Sequence, residues 1–498
     1  MFKNLRNIFK QTAIYSLGNL SLKLIGLVLL PIYTSYLTTS DYGALALLEV
    51  TSTLAVAFFS FKLSTSMMRW CSDTEDTAKR KSIVFTNYSF SILIIIVLNI
   101  ILYFLYDQLS MLYFGSHGYE VLFIILFISA SFEIMNYYPF ELLRFEEKSI
   151  FYILITIFRL ILVLVLNIVF IVKLEMGIKG ILLSQLIGQI LIYIYTLPFM
   201  IRRMSFTFNF NELKDMINYG FPLVFASIAM MLLNLGDRYI IKYLRDFSDV
   251  GIYSLGYKIG SVINVFVIQS FNIGFLPIAY KMYDKKEANR FFSKTLTYYV
   301  MVLVIFSYVV SAFSKEVIES FARNDAFFIA YKLVPLLTFV FIIRGIQYVF
   351  ALGLHFVKKT QYNAVMVVTI SLVNIGLNFL LIPKLGIYGA ALSTILCWII
   401  LTLLFYRISM RFYPVNYEMG KIFLLIIVFI LFNVLAYMVN DLQILLRICI
   451  KLGLLVLIPV ILIPFRFYEK IEIERLSGAW NKWKKIRKWP EYISKIKL

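Results

Sequence analysis

The stretch KLEMGIKGILLS at residues 173–184 returns as KLGIYGAALS at residues 384–393. Three positions match at a constant offset of 209 residues: Gly177 with Gly386, Gly180 with Gly389, and Ser184 with Ser393. A second pair of stretches, YLTTSDYGALALL at 36–48 and YLRDFSDVGIYSLGY at 243–257, aligns Asp41 with Asp249 and Gly43 with Gly251. Two matches at nearly the same offset indicate that the chain contains an internal duplication.

The composition is that of an integral membrane protein. Of the 498 residues, 61% are hydrophobic and 15% are charged, and the mean hydropathy is +0.84. A soluble domain is only about half apolar, so the surplus apolar side chains must face lipid. The formal net charge is +20. Because the basic residues lie between apolar runs, this charge favours loops at an anionic membrane surface over binding to nucleic acid.

Fourteen apolar runs are long enough to cross a bilayer, which takes about 20 residues per helix. They predict spans over residues 11–32, 43–62, 83–105, 119–138, 150–172, 177–200, 219–241, 250–277, 295–313, 327–351, 361–382, 386–406, 421–439 and 443–464. Each repeated stretch returns in the equivalent connector six helices later. Since six is even, the two copies have the same orientation, as in transporters built from parallel repeats.

The predicted fold is therefore an all-α integral membrane protein with fourteen transmembrane helices. Two parallel six-helix repeats form an N-terminal lobe (1–205) and a C-terminal lobe (206–412), followed by helices 13 and 14 (413–464) and a basic tail (465–498). Lys and Arg concentrate in alternate connectors, whereas the opposite connectors are poor in them, and some, such as TTSDYG at 38–43, have none. This asymmetry predicts a multi-pass protein with both termini in the cytoplasm.

Five basic residues within the predicted spans are the candidates for the site. They are Lys23, Arg159, Arg238, Lys258 and Arg344. A charge at the bilayer centre costs at least about 2.5–3.5 kcal/mol, so such a residue should face a wet cavity or a partner. We expect these bases to line a cationic passage between the lobes. Two alternatives stay open: Lys23 and Lys258 snorkel to an interface, and Arg238 is a structural anchor paired with Asp237.

The intramembrane acids are few. Glu49 and Glu133 lie in spans two and four, and Asp237 adjoins Arg238. Each is interpreted either as the charge partner of a base or as a ligand for a coupling ion, Na⁺ or H⁺. The chain has no G-x-x-x-x-G-K-[ST] phosphate-binding loop, so we expect transport to draw on an ion gradient or on the membrane potential. Its three cysteines and two histidines follow no metal-ligand spacing, and no metal or other cofactor is expected.

Four longer stretches carry a family resemblance. They are residues 4–45, from NLRNIFKQTAIYSL to TTSDYGAL; MMRWCSDTEDTAKRKSIV at 67–84; YYPFELLRFEEKSIFYIL at 137–154; and residues 217–260, which contain GDRYIIKYLRDFSDVGIYSLGYKIG. In these stretches the chain resembles the multidrug/oligosaccharidyl-lipid/polysaccharide exporter superfamily, and within it the bacterial polysaccharide-biosynthesis flippases. The resemblance implies a MATE-like fold in the bacterial cytoplasmic membrane and a polyprenyl-pyrophosphate-linked oligosaccharide as substrate, moved by alternating access.

Other functions remain as alternatives. A multidrug/cation antiporter of the same superfamily should favour acids in its passage, whereas the predicted spans offer mainly bases. A membrane polysaccharide polymerase or glycosyltransferase needs a large external loop or an acidic catalytic pair, and the external connectors here are about a dozen residues at most. The C-terminal tail is expected to lie on the anionic inner leaflet. The alternative is that it contacts another polysaccharide-assembly protein.

Overall fold

The computed structural model describes residues 28–359 and 361–469, and these ranges contain helices and no β-strand. The α-helices, numbered in chain order, are α1 (Leu30–Tyr36), α2 (Thr39–Phe59), α3 (Leu63–Ser72), α4 (Thr77–Phe114), α5 (Glu120–Phe145), α6 (Ser149–Asn167), α7 (Gly177–Ile201), α8 (Phe210–Leu235), α9 (Asp237–Leu244), α10 (Phe247–Gly260), α11 (Ser270–Met282), α12 (Ala288–Ala312), α13 (Ser314–Phe321), α14 (Val334–Phe356), α15 (Gln361–Leu385), α16 (Ile387–Phe412), α17 (Met419–Met438) and α18 (Ile444–Ile461).

Two π-helical segments and one 3₁₀ helix complete the described elements. A π-helix at Ile168–Lys173 prolongs α6, a second at Asn264–Gln269 joins α10 to α11, and the 3₁₀ helix covers Asp325–Lys332. Within the described residues, thirteen helices are long and apolar enough to cross a membrane. They correspond one to one to the second to fourteenth predicted spans. Most of the first predicted span, and Lys23 with it, lies outside the described residues.

Several span boundaries differ from the prediction by a few residues or more, and two of these differences concern the residues of the candidate site. The span predicted at 219–241 ends at Leu235, and Asp237 begins the separate helix α9 after Gly236. The span predicted at 250–277 is longer, because α10, the π-helix and α11 together run from Phe247 to Met282. As a result, Arg238 lies in a short helix that follows its span and not within the span itself.

The repeated glycines form equivalent turns. Gly177 and Gly386 both have positive φ, +54° and +60°, a conformation that glycine adopts without steric cost. Each is followed by a second glycine that lies against the preceding segment. A Cβ added at Gly180 would lie 2.9 Å from the Phe170 Cβ, and one added at Gly389 would lie 2.4 Å from the Leu381 carbonyl oxygen. The duplicated motif therefore encodes a tight helical turn in both copies.

The second duplicated motif starts equivalent helices. Thr38 and Asp41 form a capping box before α2, in which the Asp41 amide donates to the Thr38 hydroxyl at 3.1 Å. Asp246 caps α10 in the same way by accepting from the Asp249 amide at 2.8 Å. These side chains satisfy amide groups that a helix start leaves unpaired.

The chain divides into two compact units, residues 1–417 and 418–498. The first unit contains every described helix of the two predicted lobes. The second contains α17 and α18, where the buried Lys451 donates to the Asn440 side chain at 2.8 Å and Arg447 donates to the Asn440 carbonyl at 2.9 Å. The boundaries 205/206 and 412/413 that we predicted for the lobes remain predictions.

Glu146 provides a test of stability against pH in a predicted cytoplasmic connector. Lys148 lies 2.7 Å from its carboxylate, and Arg203, stacked 3.6 Å from the Phe199 ring centre, also donates to it. Although burial opposes the shift, these hydrogen bonds hold the pKa of the Glu146 carboxyl below its ordinary value. A lowered folded-state pKa contributes stability above the unfolded pKa of about 4.3, and that stability is lost as the pH falls through the folded pKa.

We therefore expect Glu146→Gln to lower the melting temperature at pH 7 by on the order of 1 °C, since a partly exposed ion pair contributes little. The difference from wild type should shrink toward zero below about pH 4. The melting temperatures of wild type and variant are measured by size-exclusion chromatography after heating. Glu175→Gln, at an exposed position, is the control and should melt as wild type does. A difference that grows on acidification would contradict the assignment.

Candidate functional site

The predicted intramembrane bases gather mainly around one cavity between α2 and α10. This basic cavity has a volume of about 210 Å³, and its lining includes Glu49 and Thr53 from α2, Arg238 from α9, and Tyr257 and Lys258 from α10. Its walls thus come from both predicted lobes. Two of the five predicted bases and one of the three predicted acids line it together.

Arg238 is held rigidly in the wall of the basic cavity. It pairs with the neighbouring Asp237 carboxylate at 2.9 Å, and both side chains are buried. Tyr253 donates to the other Asp237 oxygen, and the Arg238 guanidinium lies 4.6 Å from the Tyr257 ring centre. Since the pair is buried and hydrogen-bonded on several sides, Asp237 acts as the charge partner of Arg238 and fixes its position.

Lys258 is the second base of the cavity and is surrounded by aromatic rings. Its ammonium lies 5.6 Å from the Tyr33 ring centre and 5.8 Å from that of Tyr42. Tyr42 also shares a hydrogen bond with Lys258, and Glu49 attracts it electrostatically. The cation–π contacts stabilise the charge without neutralising it, so Lys258 can still meet an anion that enters the cavity.

Arg344, on α14, is linked to Arg238 through a shared partner. It donates to the Asn234 side-chain oxygen at 3.3 Å and lies 5.3 Å from the Trp398 ring centre. The Asn234 carbonyl oxygen in turn accepts from Arg238 at 3.4 Å. Asn234 thereby connects two arginines on different helices. We call Arg238, Lys258 and Arg344 the basic cluster.

Arg159 lies apart from the basic cluster. It lines a cavity of about 350 Å³ in the N-terminal lobe, together with Lys62, Glu133, Tyr137 and Glu141 among others. Glu133 interacts with it electrostatically and accepts a hydrogen bond from the Tyr137 hydroxyl at 3.2 Å. The acid predicted in span four is therefore beside the base predicted in span five. Arg144 also lines this Arg159 cavity.

A third cavity connects the other two. It has a volume of about 650 Å³ and lies between α2 and α8. It shares Thr53 with the basic cavity, and Ser60, Lys62 and Tyr137 with the Arg159 cavity. Together the three cavities form one passage, whose described lining includes five basic and three acidic side chains. The passage has a surplus of positive charge, but it is less purely basic than the spans alone suggest.

Beyond the basic cavity, α2 and α10 are in direct backbone contact. A Cβ added at Gly43 would lie 1.8 Å from the Phe247 carbonyl oxygen, and one added at Gly251 would lie 2.0 Å from the Thr39 carbonyl oxygen. The Ser248 hydroxyl donates to that of Thr39 at 2.7 Å beside this crossing. The two glycines that align in the sequence thus meet each other across the lobes, at the end predicted to face outward.

Several residues of the site were not predicted. Asn234 is a polar residue within an apolar span, and its place three residues before Asp237 was an available signal. Lys62, at the predicted cytoplasmic end of the second predicted span, also lines the passage. Tyr42, Tyr137 and Tyr257 carry no sequence signal that separates them from the other 31 tyrosines.

The described residues also include one group that could hold a metal ion: Asp107, His117 and Glu120. The His117 ring nitrogen lies 2.6 Å from Asp107, on an exposed connector away from the passage.

A charged passage walled by two related helical lobes is the arrangement expected of a membrane transporter. The fold is shared with solved transporters. The structure of "Lipid II flippase MurJ, inward closed conformation" aligns at a TM-score of 0.74 and 16% identity, over 90% of this chain and 98% of that one. An inward-facing multidrug resistance MATE family transporter of the MOP superfamily aligns at a TM-score of 0.65 and 14% identity, over 78% and 94%. An outward-facing MATE family transporter of the same superfamily aligns at a TM-score of 0.59 and 16% identity, over 82% of this chain and 95% of that one.

Residues 8–283 match the family described as polysaccharide biosynthesis protein, so the chain belongs to that family. No curated protein matches the chain significantly. The family and the fold together identify it as a multi-pass membrane transporter and not as an enzyme, with the MurJ/MATE-like architecture that the resemblance implied. The predicted spans thirteen and fourteen are also present in the structure, as α17 and α18.

Proposed function

We propose that this protein is a flippase for polyprenyl-pyrophosphate-linked oligosaccharide. It moves the headgroup of this lipid from the cytoplasmic to the outer face of the bacterial cytoplasmic membrane, with both of its own termini in the cytoplasm. The polysaccharide-biosynthesis family supports a sugar substrate, and the solved structure of a lipid II flippase with the same fold supports a lipid-linked one.

The observation that carries the proposal is the basic cluster at the passage. Arg238 and Lys258 line the basic cavity, and Arg344 is linked to Arg238 through Asn234. A pyrophosphate has several anionic oxygens, and Arg and Lys side chains bind them through charge-assisted hydrogen bonds. Arg238 and Arg344 are held in place by Asp237 and Asn234, so little ordering is needed when an anion binds. Thr53, Ser254 and Ser261 line the same cavity and offer hydroxyl groups to sugars.

The movement that we propose is alternating access. With the Gly43–Gly251 contact closed, the connecting cavity and the Arg159 cavity extend toward Lys62 and Thr65, which belong to a predicted cytoplasmic connector. Opening that contact while the opposite end closes would release the headgroup outside. The coupling ion is proposed to be Na⁺ or H⁺. Glu49 and Glu133 are its candidate ligands, although each also neighbours a base.

Depletion of the protein in its host tests this proposal. We expect lipid-linked oligosaccharide to accumulate on the cytoplasmic side, and a plasmid-borne wild-type copy to reverse the accumulation. Purified protein in proteoliposomes should make a fluorescent lipid-linked oligosaccharide accessible to an external quencher. Normal export after depletion would contradict the proposal, and polymer-forming activity of the purified protein would contradict its assignment as a transporter.

A multidrug/cation antiporter is the second candidate. One observation favours it: Glu49, Glu133 and Glu141 line the passage, and carboxylates attract organic cations. The same depleted strain separates the two functions. Sensitivity to cationic drugs without accumulation of lipid-linked oligosaccharide would select the antiporter.

A further inference from the structure

A groove outside the passage lies between α11, with its preceding π-helix, and α12. It has a volume of about 1140 Å³. Its long wall is apolar and includes Phe266, Phe271, Val302 and Phe306, whereas three basic residues stand at one end: Lys286, Arg290 and Lys294. We propose that this groove binds an anionic glycerophospholipid of the cytoplasmic leaflet, with the phosphate at the basic end and an acyl chain along the apolar wall.

The basic end suits a lipid phosphate. Arg290 and Lys294 are one turn apart on α12, and Lys286 lies in the turn just before that helix. Glu287 also lines this end. The N-terminus of α12 adds the positive end of a helix dipole. Basic sites between helices on the cytoplasmic side are typical places for anionic lipid headgroups.

The apolar wall has the length of one leaflet. From Lys294 to Phe306 the helix rises by about 18 Å, close to half of a hydrocarbon core of about 30 Å. Phe266, Val302 and Phe306 remain 44%, 43% and 48% exposed within the groove. An acyl chain would cover these side chains while its phosphate reaches the bases. A membrane phospholipid therefore fits both the charge and the length of the groove.

Charge disfavours the protein's own N-terminal segment as the occupant. Residues 1–27 contain four basic and no acidic side chains. Placing them beside Lys286, Arg290 and Lys294 would bring like charges together, which costs free energy in a medium of low dielectric constant. The proposal does not depend on which substrate the passage carries, so it can fail or succeed independently of the flippase assignment.

Native mass spectrometry of the full chain in detergent tests the headgroup preference. We expect phosphatidylglycerol to bind at least fivefold more tightly than phosphatidylethanolamine with the same acyl chains. The variant K286Q/R290Q/K294Q should lose this preference, with phosphatidylglycerol bound at least tenfold more weakly. The control K214Q/K281Q/K285Q removes three predicted cytoplasmic lysines that do not line the groove, and it should bind as wild type does. Equal binding of the two lipids by wild type would overturn the proposal.

Two further measurements test the apolar wall and remain informative if the triple variant does not fold. Val302→Trp fills the wall while keeping the basic end, and it should weaken phosphatidylglycerol binding to a similar extent. A photo-crosslinking amino acid in place of Val302 should capture lipid in membranes. Capture of a peptide from residues 1–27 or 470–498 would overturn the proposal, as would unchanged lipid binding by Val302→Trp.

Discussion

Replacing Gly251 with alanine is expected to lower transport at least tenfold and to leave the passage open at the end predicted to face outward. The added Cβ would lie 2.0 Å from the Thr39 carbonyl oxygen and 3.1 Å from the Gly43 amide nitrogen. Both atoms belong to the backbone, which cannot rotate away as a long side chain can. The two helices must therefore separate, and the conformational equilibrium shifts away from the state with this end closed.

Cysteine accessibility measures this shift directly. With the native cysteines replaced, a reporter Ala46→Cys in the basic cavity should react with a membrane-impermeant maleimide from the outside several times faster in Gly251→Ala than in wild type. Gly376→Ala is the matched control, because a Cβ there meets no atom within 4 Å. Equal outside labelling in Gly251→Ala and wild type would show that the glycine contact does not form the seal.

Lys258→Met should reduce transport of lipid-linked oligosaccharide at least tenfold while leaving expression and folding unchanged. Methionine keeps the length and apolar contacts of the side chain among Tyr33 and Tyr42, but it removes the charge. A hydrogen bond from a charged donor contributes about 1.5–3 kcal/mol, and about 1.4 kcal/mol corresponds to tenfold in affinity. Lys258 is the informative choice because its contacts with the rings do not neutralise it, whereas Arg238 is paired with Asp237.

The proteoliposome assay measures the effect, and its dependence on substrate concentration identifies the step. Loss of headgroup binding should appear as a higher half-saturating concentration, and Lys258→Arg should restore much of the activity. Lys173→Met removes an exposed lysine at the end of its span and should transport as wild type does. Wild-type transport by Lys258→Met would remove this residue from the proposed binding site.

Much of the fold follows from simple patterns in the sequence. Long apolar runs predicted every span that lies within the described residues, because each helix must satisfy its own backbone in lipid. The aligned glycines predicted the duplication, and the structure shows why glycine is required at two of them: Gly177 and Gly386 have positive φ. The helix break at Gly236 was not predicted, since the pairing of Asp237 with Tyr253 is a tertiary contact.

Less of the candidate site than of the fold could be predicted from the sequence. The cost of a charge in lipid singled out Arg159, Arg238, Lys258 and Arg344, and the structure places three of them in one cluster. The separation of Arg159 from the others could not be predicted, because a helical stripe shows which residues share a face but not which cavity that face meets. The bridging role of Asn234 likewise depends on packing between α8 and α14, which are about 110 residues apart in the chain.

In the transport cycle that we propose, the contact between Gly43 and Gly251 separates closure from recognition. Closure depends on the fit of two main chains, which is indifferent to the chemistry of the cargo, whereas recognition depends on charges and hydroxyls deeper in the membrane. Related proteins could therefore acquire new sugar specificities by exchanging cavity side chains, without having to rebuild the gate each time.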